Sequence, residues 1–267
     1  MAGEAFTSAT TSSAGYWGPI TASTEWCEKN YVVTPMVAEF YNTISNAPGI
    51  ILALIGLYYA ISQKFERRFS VLHLSTIALG FGSILFHATL KHAQQQSDET
   101  PMVWVMLLYI YVLYSPDWHY RSTMPTVLFL YGTIFAVLHS QFRFVVGFQI
   151  QLVCLAVLCL PRMYKYYIHS KEAPVRKLAH RYILFLVVGG IFWFADRFFC
   201  NQMAKLPINV QGHALWHVLM GFNSYFGNTF LQYCRAEQLN WNPRMEYLLG
   251  VLPYVKVQKT DSERKEQ

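Results

Sequence analysis

Residues 211–225, QGHALWHVLMGFNSY, place His213 and His217 inside an otherwise apolar run. On a helix, residues four apart share a face, so both imidazoles can reach one point. Polar rings in a membrane-length helix need partners, because unpaired polar groups in hydrocarbon are costly. Zinc meets that need with a single ion: it takes nitrogen ligands, and a helical His-x3-His pair supplies two of them. Hydrogen bonds from the two rings to neighbouring helices are the alternative this stretch leaves open. The zinc-protease form of the spacing carries Glu after the first His. Here Ala214, Leu215 and Trp216 intervene, so a hydrolase built on this pair takes its third ligand and its base from elsewhere.

The rest of the chain is membrane-like. Of its 267 residues 54% are hydrophobic and only 13% charged, about half the charge of a soluble domain. Seven apolar runs stand out, at 40–61, 71–91, 101–116, 124–139, 144–161, 180–199 and 212–233, to be set against the ~20 residues a spanning helix needs. The expected fold is therefore all-α, a polytopic seven-helix bundle. Residues 1–39 form an outer segment, 40–235 the membrane domain and 236–267 a tail. Met1 to Ser13 is polar without an apolar core and does not read as a cleavable signal peptide. Of the 21 Lys and Arg, only Lys29, Lys91, Arg143, Arg197 and Lys205 fall on the side of the N-terminus. The positive-inside bias then puts the C-terminus in the cytosol and the N-terminus in the lumen or outside. The net charge of +6 is largely this bias; it does not point to nucleic acid, for which a basic stripe with interleaved aromatics on a soluble module is missing.

Along the chain, Glu25, Glu28, Asn30 and Glu39 cluster just before the first run. Hard oxygen ligands in such a group suit calcium, and a solvated acidic patch is the plainer alternative. Glu39 favours the former, because a carboxylate where a membrane helix begins wants a cation or a donor. Pro48 and Gly49 suggest a kink in this first run. In the second run Ser83 and His87 are four apart on one face. That run travels outward and the seventh inward, so His87, His213 and His217 fall in the same leaflet, as one three-histidine metal site requires. His92 is off that face and is expected to be exposed, and His73 lies at the opposite end. Asp98, followed by Pro101, suits the cap of the third helix; it is equally a carboxylate near His87 that could take a proton from water activated by zinc. Glu99 points about 100° away on a helix. Asp196, at the outer end of the sixth run, is either a surface charge or a hydrogen-bond acceptor for a metal-bound imidazole. Of the five cysteines, Cys27 and Cys200 fall on the lumenal side, where disulfides persist.

The combination resembles the alkaline ceramidase family of integral membrane hydrolases. The matching pieces are Gly15-Tyr-Trp-Gly-Pro, Glu25-Trp-Cys-Glu-Lys-Asn, Ala38-Glu-Phe-Tyr-Asn, Gly82-Ser through His87-Ala-Thr-Leu-Lys, Asp98-Glu-Thr-Pro-Met, Phe192-Trp-Phe-Ala-Asp and His213-Ala-Leu-Trp-His, in family order from about residue 15 to 235. The resemblance implies seven helices, Zn2+ held by His87, His213 and His217, and Ser83 and Asp98 beside it. It also implies Ca2+ held by Glu25, the Trp26 carbonyl, Glu28, Asn30 and Glu39, and a bridge between Cys27 and Cys200. One departure is Glu25, where the family has Asp: the charge is kept and the oxygens are shifted. The expected activity is hydrolysis of the N-acyl amide of ceramide, dihydroceramide or phytoceramide to a fatty acid and a sphingoid base, in the endoplasmic reticulum or Golgi, with no obligatory protein partner. A metal-binding seven-helix receptor of the progestin or adiponectin receptor type is the rival, disfavoured by the short tails and by the Glu/Asn cluster.

Overall fold

The computed structural model describes residues 15–203, 205–207 and 210–258. The polar stretch Met1 to Ser13 and the last residues of the expected tail lie outside these. Among the described residues the elements run α1 (Phe40–Ile44), α2 (Ala47–Ser62), α3 (Arg67–Thr89), α4 (His92–Tyr114), α5 (Trp118–Phe142), α6 (Val145–His169), α7 (Ala173–Phe198), α8 (Cys200–Met203), α9 (Gly212–Gln238), β1 (Arg244–Leu248) and β2 (Leu252–Lys256).

Among the described residues, five stretches are long and apolar enough to cross a bilayer: Phe40–Ser62, Arg67–Thr89, Ser122–Phe142, Val145–His169 and Ala173–Phe198. The protein is thus a largely helical, multi-pass membrane protein. Helices α4 and α9 are as long as the others but are not counted among the five. Their polarity has a physical source. The first turns of α4 bring Gln95, Asp98 and Glu99, and those of α9 bring His213 and His217, all turned into the bundle rather than toward lipid.

Several expectations are corrected. The first run is two helices, because Pro48 sits in the first turn of α2 and cannot continue α1. Helix α4 begins at His92, with Lys91 at its cap, so Asp98 is well inside the helix rather than capping it. His92 is half-buried, and its Nε2 lies 3.3 Å from the Ser140 carbonyl. The chain is not all-α: part of the expected tail pairs as an antiparallel hairpin from Arg244↔Lys256 to Leu248↔Leu252. The stretch alternates about Gly250, whose φ of +73° suits the turn.

Close helix contacts set the frame. Helices α2 and α9 cross where Gly49 meets Gly221, and a Cβ on Gly221 would lie 2.7 Å from the Gly49 Cα; small residues allow this approach. Helices α3 and α4 meet at Gly82, where a Cβ would overlap the Ser97 carbonyl oxygen. At the opposite end Glu66 binds Arg68 at 2.5 Å and Arg235 at 2.6 Å, joining α3 to α9. Burial pushes the Glu66 carboxyl up, but the two guanidiniums outweigh it and hold it below the usual range.

Gly82→Ala is expected to force α3 away from α4 at a cost of about 1–3 kcal/mol. It should lower the thermal unfolding midpoint in detergent, whereas Gly190→Ala, at a position facing open space, should not.

Candidate functional site

The N-terminal segment builds one end of the site by finishing helix α3. A helix leaves its last carbonyls without partners. Here the Glu39 N–H donates to His87 O, Ala38 N–H to Ala88 O, and the Thr21 and Ala22 N–H groups to Leu90 O. Leu90 closes the helix in the left-handed region, φ 49°. Drawn across α3 in this way, the segment delivers the Glu39 side chain to His87: Glu39 Oε2 lies 2.6 Å from His87 Nδ1, and both side chains are closed to solvent.

Helix α9 brings the other two rings. Its first turn is capped from α7, where Asp196 Oδ2 accepts the His213 N–H at 3.0 Å. The other oxygen of Asp196 accepts the Cys27 N–H at 2.9 Å. Cys27 and Cys200 form a disulfide with their Cα atoms 5.1 Å apart. Asp196 therefore holds the backbone at His213, and it is Glu39 that grips an imidazole.

The three rings converge. Centroids are 5.0 Å apart for His87 and His213, 4.9 Å for His87 and His217 and 4.4 Å for His213 and His217. One ligating atom from each lies within 4.8 Å of the others. Each ring is held from outside the cluster. Glu39 binds His87, Ser45 Oγ lies 2.9 Å from His217 Nδ1, and the indole of Trp26 stacks on His213 with centroids 3.4 Å apart. His87 Nε2 and His213 Nδ1 are buried and have no hydrogen-bond partner within the protein. Three converging imidazoles, with Nδ1 of His87 and of His217 hydrogen-bonded and the His213 ring held by stacking, are a donor set that suits zinc.

Ser83 stands one turn before His87 on α3 and is buried. Asp98, on α4 across the Gly82 contact, is buried as well, and Ser83 Oγ has no hydrogen-bond partner within the protein. Ser83 thus stands one helical turn from His87, about 5.4 Å along the axis.

The acidic group before α1 is looser. Asn30 Nδ2 reaches Glu25 Oε2 at 3.4 Å, and Glu25 is exposed. Glu28 is buried; its oxygens accept the N–H groups of Tyr41 at 2.7 Å and Asn42 at 2.8 Å. Burial pushes its carboxyl up and those two N–H groups partly offset the rise. Glu39 Oε1 accepts from the Trp26 N–H at 3.4 Å. Asn30 Oδ1 is buried without a partner. Among the described residues, the groups of three possible ligands within 4.8 Å are the histidines and Cys27–Asp196–Cys200. The latter is occupied by the disulfide, and Glu25, Glu28 and Glu39 do not converge as the imidazoles do.

A second buried network was missed from sequence. His139 Nε2 lies 2.5 Å from Glu99 Oε2. Gln95 Nε2 donates to Glu99 Oε1 at 2.9 Å, and Gln95 Oε1 accepts from Ser23 N at 2.8 Å. The signal was present: a lone imidazole in the fourth run, and Gln95 and Glu99 four apart.

The chain matches the Ceramidase family model over residues 18–256, hairpin included. It is 60% identical over 246 residues to "Alkaline ceramidase" of Arabidopsis thaliana, covering 92% of this chain and 96% of that one. It is 32% identical to "Alkaline ceramidase 3" of Mus musculus, over 90% and 94% of the two chains. With "Alkaline ceramidase YPC1" of Saccharomyces cerevisiae it shares 31% identity, over 88% and 83%.

Breaking the bridge with Cys27→Ser should free the segment that carries Glu39 and Trp26. The expected loss is about 2–4 kcal/mol, read as a lower thermal midpoint. The wild type should fall to the same midpoint under a strong reductant.

Proposed function

This chain belongs to the ceramidase family, and we propose that it hydrolyses the N-acyl amide bond of ceramides, releasing a fatty acid and a sphingoid base. The names of the relatives support the substrate. The convergence of three buried imidazoles, two of them with an unpartnered nitrogen, supports the chemistry.

His87, His213 and His217 would hold Zn2+, which when bound would polarise the amide carbonyl and acidify water. Asp98 is the base: its carboxylate takes the proton of the attacking water and returns a proton to the leaving amine. The Ser83 hydroxyl donates to the amide oxygen as negative charge builds on it. Glu39 fixes the ring orientation of His87 and raises the basicity of its free nitrogen. Ser45 does the same for His217.

Ca2+ would be held by Glu25, the Trp26 carbonyl, Glu28, Asn30 and Glu39, and binding would have to draw the three carboxylates closer than they stand. The buried, unpartnered Asn30 Oδ1 fits that role. Glu39 already serves His87, so in this reading one carboxylate belongs to both centres.

All seven long helices would span, with α4 and α9 shielded by the rest. The N-terminus would be lumenal and the C-terminus cytosolic, in the endoplasmic reticulum or Golgi. A site within the bilayer suits a substrate whose two long chains then never enter water. The family match runs through both the site and the hairpin, which counts against the receptor alternative.

The test is fatty acid release from a panel of ceramides by purified variants in detergent, with metal content measured alongside. His217→Ala should lose both zinc and activity. Asp98→Ala should keep zinc and lose activity by about 10²–10⁴-fold. Wild-type rates from both variants would contradict the reading.

A further inference from the structure

We propose that the C-terminal hairpin is a membrane-inserted element: its turn, Leu248–Leu252, lies among the acyl chains of the leaflet remote from the histidines, with Arg244 and Lys256 at headgroup depth.

The position of the hairpin rests on three contacts that climb the bundle. At its open end the Val257 N–H donates to Gln63 Oε1, at the C-terminal end of α2. Next, Tyr254 stacks on Tyr59, one turn further up α2, with centroids 3.8 Å apart. Then the Pro253 carbonyl accepts the Tyr225 hydroxyl at 2.9 Å. The ion pairs of Glu66 with Arg235 and Arg68 mark the polar end of the bundle. The Cα of Tyr225 is about 15 Å along α9 from that of Arg235. The strands therefore run from the polar end toward the middle of the bundle, and the turn is the deepest part.

Chemistry follows the same axis. Arg244 and Lys256 face each other across the open end, and both are exposed; Glu246, the one further charge on the strands, lies 3.8 Å from Lys256 Nζ and is drawn toward that end. At the turn the exposed side chains are apolar: Tyr247 is 46% exposed, Leu249 91% and Val251 71%. In water this would be an unprotected apolar patch. Beside it α2 shows its own outward stripe of Ile51, Leu54, Tyr58 and Ile61, in a stretch apolar enough to span. The turn continues that lipid-facing surface. A soluble partner would need this level of the bundle to stand in water.

The main physical objection is that sheet edges with unpaired backbone groups are not tolerated in hydrocarbon. Here β2 lies against α2 and α9, so the cost is confined to the outer edge of the five-residue β1. Pro253 brings no N–H to its edge, and the Pro253 carbonyl and the Val257 N–H are each taken by a helix side chain. The inner face is also packed, with Val255 and Trp241 in the core. Cationic residues at the open end suit anionic headgroups. The proposal depends only on the bundle spanning the membrane and is independent of the catalytic reading.

The test places a fluorescent label at Leu249→Cys, at Val251→Cys or at Lys256→Cys. The background is the full chain with Cys154→Ser, since Cys154 is the exposed free cysteine and Cys159 and Cys234 are buried. Each labelled protein is reconstituted in nanodiscs with lipids spin-labelled along the acyl chain, and separately exposed to aqueous iodide. Activity of each variant reports that it is folded. Labels at 249 and 251 should be quenched by the acyl spin label about twofold or more than the label at 256, as expected for insertion of ~5–10 Å. Iodide should show the reverse order. Iodide quenching at 249 and 251 equal to or greater than that at 256 would overturn the proposal.

Discussion

A bond 2.6 Å long between the Glu39 carboxylate and Nδ1 of His87, sealed from water at both ends, is the constraint from which the site is built. An imidazole cannot be buried cheaply with both nitrogens idle, and a carboxylate cannot be buried cheaply alone. Each removes the other's cost and leaves His87 Nε2 facing the remaining two rings. The bond forms only because the segment before α1 crosses the end of α3, matching its backbone N–H groups to the carbonyls of His87, Ala88 and Leu90. The disulfide holds the other edge of the segment to α8, and Asp196 holds it to α7 and α9. Trp26, between them, lies flat on His213. The outer segment is thus a structural part of the centre and not a cover laid over it.

The same logic explains why two of the seven long helices are more polar than the five that are apolar enough to span. Helix α4 carries Gln95, Asp98 and Glu99 inward, and α9 carries His213 and His217. Both pack against neighbours whose exposed faces are apolar. Where helices must approach to bring these groups together, Gly82 and the Gly49–Gly221 pair provide the room.

Much of this could be read from the sequence. The i, i+4 pair on α9, and the agreement of His87 with it in depth, follow from helical spacing and the alternation of spans. Other features depend on contacts that no local pattern encodes. Glu39 and His87 are far apart in the chain, and Asp196 meets a backbone N–H rather than a ring. Asp98 reads as a cap because Pro101 follows it. Yet α4 starts earlier, since the His92 N–H and the Gln95 side chain are bonded to the N-terminal segment and Ser97 Oγ to the Gly82 carbonyl of α3. The hairpin was hidden by its brevity: two strands of five residues carry a weak alternation, and its anchors on Tyr59 and Tyr225 are remote in sequence.

The central claim is that the three imidazoles are ligands of one ion. Zinc-edge X-ray absorption on the purified protein tests it most directly. About one zinc per chain, with nitrogen at ~2.0–2.1 Å and the outer-shell scattering of three imidazole rings, is the predicted result. A protein that hydrolyses ceramide while holding no zinc, or zinc in a shell without imidazole scattering, would contradict it.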